Sequence, residues 1–375
     1  MKVILFANTD WYLYNFRLPL AQMLREQGAE VTLLSPSGDY VQRLHDAGFR
    51  WLELSMSGSG VNPFIELGTL LKISRVYGSE KPDLVHHFTP KCVLYGSFAA
   101  RWNGIRSVVN AITGLGYLFT ASGSWRQLRI RFAQYLYRLA LRGTQVVFQN
   151  PDDRHAFVQT GIVSQENSHL VPGSGVDLKR FSFAAEPEGI PVVMLAARML
   201  WEKGVGDFVE AARLVNHSGN LARFVLVGDT YAGNPSAIPA AQLSRWQEEA
   251  VVEWWGWHDD MPAILSQAHI ICLPTFYKEG LPRVLVEGAA CGRPLIASDI
   301  PGCRDIVRDG ENGLLVPARN PSALAEAILR LLPDSELRRR MGAKARSIVE
   351  REFSVEQVNR STLAVYARAG QAGIS

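Results

Sequence analysis

The sequence predicts an α/β protein made of two doubly wound halves with a helical tail. Three observations carry this. Short apolar, strand-like runs alternate with helix-period segments through the first half, and the same alternation restarts with PVVMLAA at 191–197. Between them, SFAAEPEGI at 182–190 is small, polar and Pro/Gly-bearing, as a linker is. A chain of 375 residues is comfortable for two cores. We place the boundaries at 1–183, 184–355 and 356–375, the last segment a helix expected to pack back toward the first half.

In chain order, KVILFA reads as the first strand, and NFRLPLAQMLREQG as a helix stopped by Gly28. EVTLLSP is the next strand, and YVQRLHDAG a short helix ending at Gly48. DLVHHF, SVVNAI and QVVFQN are further strands separated by helical stretches. After the restart, GVGDFVEAARLVNHSG is a helix, and RFVLVGD, VVEWWGW, HIICLPT, RPLIAS and NGLLVP are strands. Beyond about residue 320 the pattern is helical. Such alternation means parallel sheets covered by helices, with ligands at the carboxyl ends of the strands and in the cleft between two such domains.

Composition excludes several classes. Hydrophobic residues are 47% and charged residues 20%, ordinary for a globular chain, and no apolar run reaches the length of a membrane helix. The start MKVILFANTDWY reads as a strand rather than a signal peptide, so a cytosolic chain is expected. Cys92, Cys272, Cys291 and Cys303 form no CxxC pair and no zinc spacing, and read as buried free thiols. A net charge of +3 gives no argument for nucleic acid. Gly173 and Gly175 in LVPGSGVDLKRF give only a GxG where a dinucleotide fingerprint needs a third glycine, and there is no P-loop and no DxD. These glycines with Asp177 suggest a tight loop at the domain junction.

Four stretches bear on chemistry. In YKEGLPRVLVEG, Glu279 and Glu287 stand on either side of a helix start that follows the strand HIICLPT, with Pro282 placed as the first helical residue. Backbone N–H groups of Gly280 and Leu281, with the helix dipole, suit a diphosphate, and the carboxylates suit paired sugar hydroxyls. The plain alternative is a capping Glu279 and a solvated Glu287. In ARMLWEKG, Arg198 and Lys203 lie in a strand-to-helix loop, where they would neutralise a leaving diphosphate, or would simply be surface cations. The stretch 124–143, SWRQLRIRFAQYLYRLALRG, alternates five arginines with aromatic and aliphatic residues. As a helix it suits a membrane surface, or lies with one face on the sheet and its arginines in solvent. Trp254, Trp255 and Trp257 of VEWWGW could flank a nucleobase or pack the strand.

Taken together, these residues resemble the family 4 glycosyltransferases, retaining enzymes with two facing Rossmann-like domains (the GT-B arrangement). The resemblance covers nearly the whole chain. Its strongest part is Glu279 and Glu287 inside PTFYKEGLPRVLVEGAACGRPLIASDIPG, with ARMLWEKG and VPGSGVDLKRF upstream and ENGLLVP downstream. It implies that Arg198 and Lys203 grip a donor diphosphate, that Glu279 contacts the donor sugar, and that Glu287 holds the ribose hydroxyls. Gly280, Leu281 and Pro282 would border phosphates and sugar. The first half, with YNFRLPL, VNPF, HHFTPKCVLYG and NAITGLGYLF, is similar to transferases that extend undecaprenyl-diphosphate-linked sugars with N-acetylhexosamines. That likeness would turn Arg17, Lys91 and the loop Thr113-Gly114-Leu115-Gly116 toward acceptor or reacting centre.

Two departures stand out: Thr113 sits where many relatives carry His, and NTDWYLYN replaces a glycine pair in the first strand-to-helix loop. The resemblance implies a UDP-sugar donor, no cofactor, no metal and a lipid-linked saccharide acceptor. It also implies a protein held at the cytoplasmic face of the inner membrane by the basic helix, in surface-polysaccharide or O-antigen assembly. The rival expectations are a UDP-sugar 2-epimerase on the same fold and a catalytically idle membrane scaffold. A pyridoxal-phosphate phosphorylase would need a longer chain.

Overall fold

The computed structural model describes residues 1–56, 63–114, 126–231, 233–277 and 279–371. The chain forms two compact units, one of Met1–Gly175 with Val355–Ser375 and one of Val176–Ser354.

The first unit carries a seven-stranded parallel sheet. Its strands are β1 (Lys2–Phe6), β2 (Glu30–Ser35), β3 (Arg50–Glu53), β4 (Leu84–Phe88), β5 (Ser107–Ile112), β6 (Gln145–Phe148) and β7 (Ser168–Leu170), in the order β3-β2-β1-β4-β5-β6-β7. The second unit carries six parallel strands, β8 (Val192–Ala196), β9 (Arg223–Val227), β10 (Glu253–Gly256), β11 (Ile270–Leu273), β12 (Leu295–Ser298) and β13 (Gly313–Val316), in the order β10-β9-β8-β11-β12-β13. In each sheet the order reverses once, between β1 and β4 and between β8 and β11. Loops diverge at such a point and leave a crevice at the carboxyl ends of the strands.

β8 is apolar along its whole length, and β1 from Val3 to Phe6, because both faces are covered there. In β8, Val193 and Leu195 join one core while Val192, Met194 and Ala196 join the other. In β1, Val3 and Leu5 face one side, Ile4 and Phe6 the other. Strands β3 and β7 are additions to the sequence reading, and both lie at the sheet's edges.

The change of unit comes at Gly175/Val176, earlier than the 183/184 expected from composition. Gly173 and Gly175 turn with positive φ, Val176 bridges to Ser354, and Phe181 already belongs to a core of the second unit. The stretch 182–190 is not a free linker. Ala184 N–H donates to the Cys291 carbonyl, and Glu186 pairs with Arg338 at 2.7 Å. The helix Val355–Gln371 belongs to the first unit, where Val358, Val365, Tyr366 and Ala369 share a core with Val3 and Leu5.

All four cysteines are buried and unpaired, and burial pushes the Cys92 thiol up to about 12. No described helix is long and apolar enough to cross a membrane. The basic stretch forms the helix Arg126–Leu141; Ser124 and Trp125 lie outside the described residues. Ala133, Tyr137, Ala140 and Leu141 are buried on its inner face, whereas Leu128, Phe132 and Tyr135 are exposed. Arg138 donates to the Thr160 and Gly161 carbonyls and so serves the neighbouring helix end.

Candidate functional site

In the second unit the two loops that flank the reversal of strand order are locked together. After β8 the chain passes Arg198, makes a 3-10 turn at Trp201–Lys203, and enters the helix Val205–His217 through Gly204. Gly204 has φ +75°, and a Cβ there would lie 2.0 Å from the Pro274 carbonyl oxygen, so only glycine allows this approach. The Glu202 carbonyl then accepts three hydrogen bonds from the loop after β11: Thr275 Oγ1 at 2.9 Å, Phe276 N at 3.0 Å and Tyr277 N at 3.2 Å.

That lock positions the charged groups. Lys203 Nζ and Glu279 Oε1 form an ion pair with side chains 14% and 12% exposed. The Thr275 hydroxyl lies 3.3 Å from the same Glu279 oxygen and accepts from Tyr277 N at 3.1 Å. Lys203 Nζ also sits 5.4 Å from the Tyr277 ring centroid. The Tyr277 hydroxyl is pushed up, by burial first and then by the carboxylates of Glu279 and Glu202, with Arg198 pulling the other way. Arg198 itself is exposed, its guanidinium 5.6 Å from the Tyr231 ring centroid.

The loop continues into the helix Arg283–Ala290, for which Pro282 is the N-cap rather than the first helical residue. Its ψ of 111° is extended, and the first helical φ/ψ pair belongs to Arg283. Gly280 is buried against Gly302, where a Cβ would lie 2.8 Å from the Gly280 carbonyl oxygen. Glu287 is not a solvated side chain. Arg283, one turn earlier, donates to Glu287 Oε1 from Nε at 2.9 Å and from Nη2 at 2.6 Å, and the carboxylate side chain is 13% exposed. Thr275, Glu202 and Arg283 are additions to the residues that sequence singled out.

In the first unit the acceptor-side expectations are placed as follows. Arg17 closes a π-helical turn, Leu13–Arg17, after β1, and is buried. Lys91, in the first turn of the helix Pro90–Trp102, forms an ion pair with Glu66 at 2.6 Å. Thr113 and Gly114 follow β5 and are half-buried, Gly114 with φ +132°. Leu115 and Gly116 of the same loop lie outside the described residues. Trp254 is fixed to the sheet by an indole N–H donated to the Gly228 carbonyl at 2.8 Å, whereas Trp257 is exposed.

Residues 2–150 match the protein family described as glycosyl transferase 4-like, and residues 190–334 match that described as glycosyl transferases group 1. The chain is 29% identical over 361 residues to the N,N'-diacetylbacillosaminyl-diphospho-undecaprenol alpha-1,3-N-acetylgalactosaminyltransferase of Campylobacter jejuni, covering 92% of this chain and 93% of the relative. It is 24% identical over 285 residues to the UDP-Gal:alpha-D-GlcNAc-diphosphoundecaprenol alpha-1,3-galactosyltransferase of Escherichia coli, 72% of each chain. Among solved structures, HepE of Anabaena in complex with UDP-glucose superposes with a TM-score of 0.80 over 98% of this chain and all of that one, at 20% identity, a likeness of fold.

Proposed function

The chain is a glycosyltransferase, its first half of the glycosyl transferase 4-like family and its second of group 1; from that premise we propose that it moves an N-acetylhexosamine from a UDP-sugar to a polyprenyl-diphosphate-linked saccharide, with retention, in surface-polysaccharide assembly. The observation that carries the donor half of this reading is the Lys203–Glu279 pair, held where the β8 and β11 loops are bolted to each other through the Glu202 carbonyl. The acceptor half rests on the printed activities of the Campylobacter and Escherichia relatives.

In this reading Lys203 and Arg198 take the donor diphosphate. Negative charge grows on the leaving phosphate as the anomeric carbon becomes oxocarbenium-like, and two cations already in place lower the barrier without reorganising. Gly280, Leu281 and Pro282 border the phosphates and sugar at the start of the helix Arg283–Ala290. Glu279 contacts the sugar, and its pairing with Lys203 keeps it aimed before the donor arrives. Glu287 takes the ribose hydroxyls, with Arg283 fixing its rotamer. The acceptor hydroxyl attacks from the face that the diphosphate leaves, and the departing phosphate oxygen takes its proton. The scheme uses protein groups for every charge and needs no metal or cofactor.

On the acceptor side we assign Arg17, Lys91, Thr113 and Gly114. A polyprenyl acceptor calls for a peripheral place at the cytoplasmic face of a membrane. The exposed Leu128, Phe132 and Tyr135, with Arg131 between them on one helix, support docking of that face on an anionic lipid surface.

The test is a donor screen. Purified protein is mixed with UDP-GlcNAc, UDP-GalNAc, UDP-Glc, UDP-Gal or GDP-mannose and a short polyprenyl-diphosphate-linked N-acetylhexosamine, and the acceptor mass is followed. A gain of one N-acetylhexosamine from a UDP donor is expected. An epimerised donor without acceptor, or no binding of any nucleotide sugar, would overturn the reading.

A further inference from the structure

The loop after β1 holds a charge that the donor chemistry does not use. Arg17 is 4% exposed. Its Nη2 donates to the Tyr12 hydroxyl at 2.8 Å, and its guanidinium carbon lies 4.2 Å from the Phe88 ring centroid and 5.4 Å from that of Tyr12. Among the described residues its Nε is buried without a hydrogen-bond partner, and no carboxylate pairs with it. Taking an uncompensated cation out of water costs more than an aromatic face returns. The residue is presented by a π-helical turn, a rare geometry that collects at functional sites.

Beside it stands a second unmatched nitrogen. His86 in β4 is 2% exposed, and its ring centroid lies 4.0 Å from that of Phe88, the same ring that carries Arg17. Its Nδ1 is 2.7 Å from the Tyr366 hydroxyl of the helix Val355–Gln371, and its Nε2 is buried with no partner among the described residues. Burial first, then Arg17 and His87, push His86 well below the usual imidazole range, so the ring is neutral. The Nδ1–Tyr366 contact fits either direction; the seat requires Tyr366 to donate, which places the proton on Nε2 and leaves that donor without an acceptor among the described residues. Two unmatched nitrogens therefore share the ring of Phe88, the last residue of β4, beside the reversal of strand order between β1 and β4, where an open parallel sheet takes its ligands.

We propose that Arg17 and His86 form a seat for a phosphate group, with the diphosphate of the lipid-linked acceptor as its ligand, an inference that rests on the acceptor reading above. The anion supplies the negative charge and the acceptor oxygens that both side chains lack. Tyr366 acts as a positioning residue that sets the His86 tautomer.

The full-length protein is saturated with UDP to occupy the donor site, then titrated by calorimetry with inorganic pyrophosphate and with geranyl diphosphate. Both bind wild type. Arg17→Met, which keeps the packing on Phe88, melts at or above the wild-type temperature without anion, keeps its UDP affinity, and loses at least tenfold in affinity for both probes. No binding of either probe to wild type, or equal affinity in Arg17→Met, overturns the seat. Should Arg17→Met fail to fold, Arg17→Lys and Tyr366→Phe decide on the same criterion, since each removes one donor arrangement while keeping the charge. Pyrophosphate binding through Arg17 without sugar transfer to a polyprenyl acceptor keeps the seat and overturns the acceptor identity alone.

Discussion

Replacing Lys203 by alanine removes a cation that the fold holds against Glu279. At the effective dielectric of a protein surface, two unit charges about 4 Å apart interact by about 4 kcal/mol. Glu279 already takes part of that in the free enzyme, with both side chains more than four-fifths buried. What remains for the leaving diphosphate is about 3–4 kcal/mol, the range seen when one preorganised charge-stabilising donor is deleted. At about 1.4 kcal/mol per decade this is a fall of roughly 10²–10³ in kcat. The loss falls mainly on kcat because the charge matters most where the leaving group develops. The assay is initial rate of UDP release with saturating acceptor, with thermal melts confirming the fold. Turnover in Lys203→Ala within about threefold of wild type would refute the role and with it the reading of the locked loops.

Three further outcomes follow from the same geometry. Glu287→Ala should weaken UDP binding by about tenfold with little change in kcat, because Glu287 is assigned to the ribose and not to the reacting centre; calorimetry with UDP checks this, and an unchanged Kd counts against it. Gly204→Ala must move the Pro274 carbonyl or abandon φ +75°, so urea denaturation should show a loss of more than about 2 kcal/mol, and stability equal to wild type would be the contrary result. Burial, opposed weakly by Asn110, pushes His87 from 6.5 down to about 4. Its contribution to stability is therefore complete above pH 6.5 and is lost as pH falls toward 4, because the unfolded chain binds the proton first. Unfolding free energy should drop on the order of 2 kcal/mol between pH 7 and pH 5, and a His87→Gln variant should flatten that part of the profile.

Much of this was legible locally. The central strands announced themselves as apolar runs, and glycines at 28 and 48 marked helix ends with φ of +82° and +80°. Strands β3 and β7 escaped because they are short sheet edges whose residues, RWLE and SHL, are mostly not buried and so carry no apolar run. The stretch 182–190 looked like a linker because composition reports polarity but not partners: Arg338, which holds Glu186, lies 152 residues away. Lys91 is expected on the acceptor side from the resemblance, and its ion pair with Glu66, 25 positions earlier, escapes the sequence for the same reason. In the site, the residue types Arg198, Lys203, Glu279 and Glu287 were visible, and the Arg283–Glu287 spacing could have been read as a helical i,i+4 pair. Thr275 could not have been found, since its value comes from a carbonyl 73 positions back.

The last helix has a consequence for how the protein is made. The first unit draws Val358, Val365, Tyr366 and Ala369 into its core, so it is a discontinuous domain with the continuous unit Val176–Ser354 inserted in it. On the ribosome the segment Met1–Gly175 emerges before the second unit and lacks its closing piece until Val355–Gln371 has been made, roughly ten to forty seconds later at the usual rate of synthesis. The later-made unit can fold before the earlier one is complete. Until then the apolar residues that pack against Val358, Val365, Tyr366 and Ala369 lack that cover. A stop codon before that helix would spare every residue proposed for the donor yet leave the first unit without part of its core.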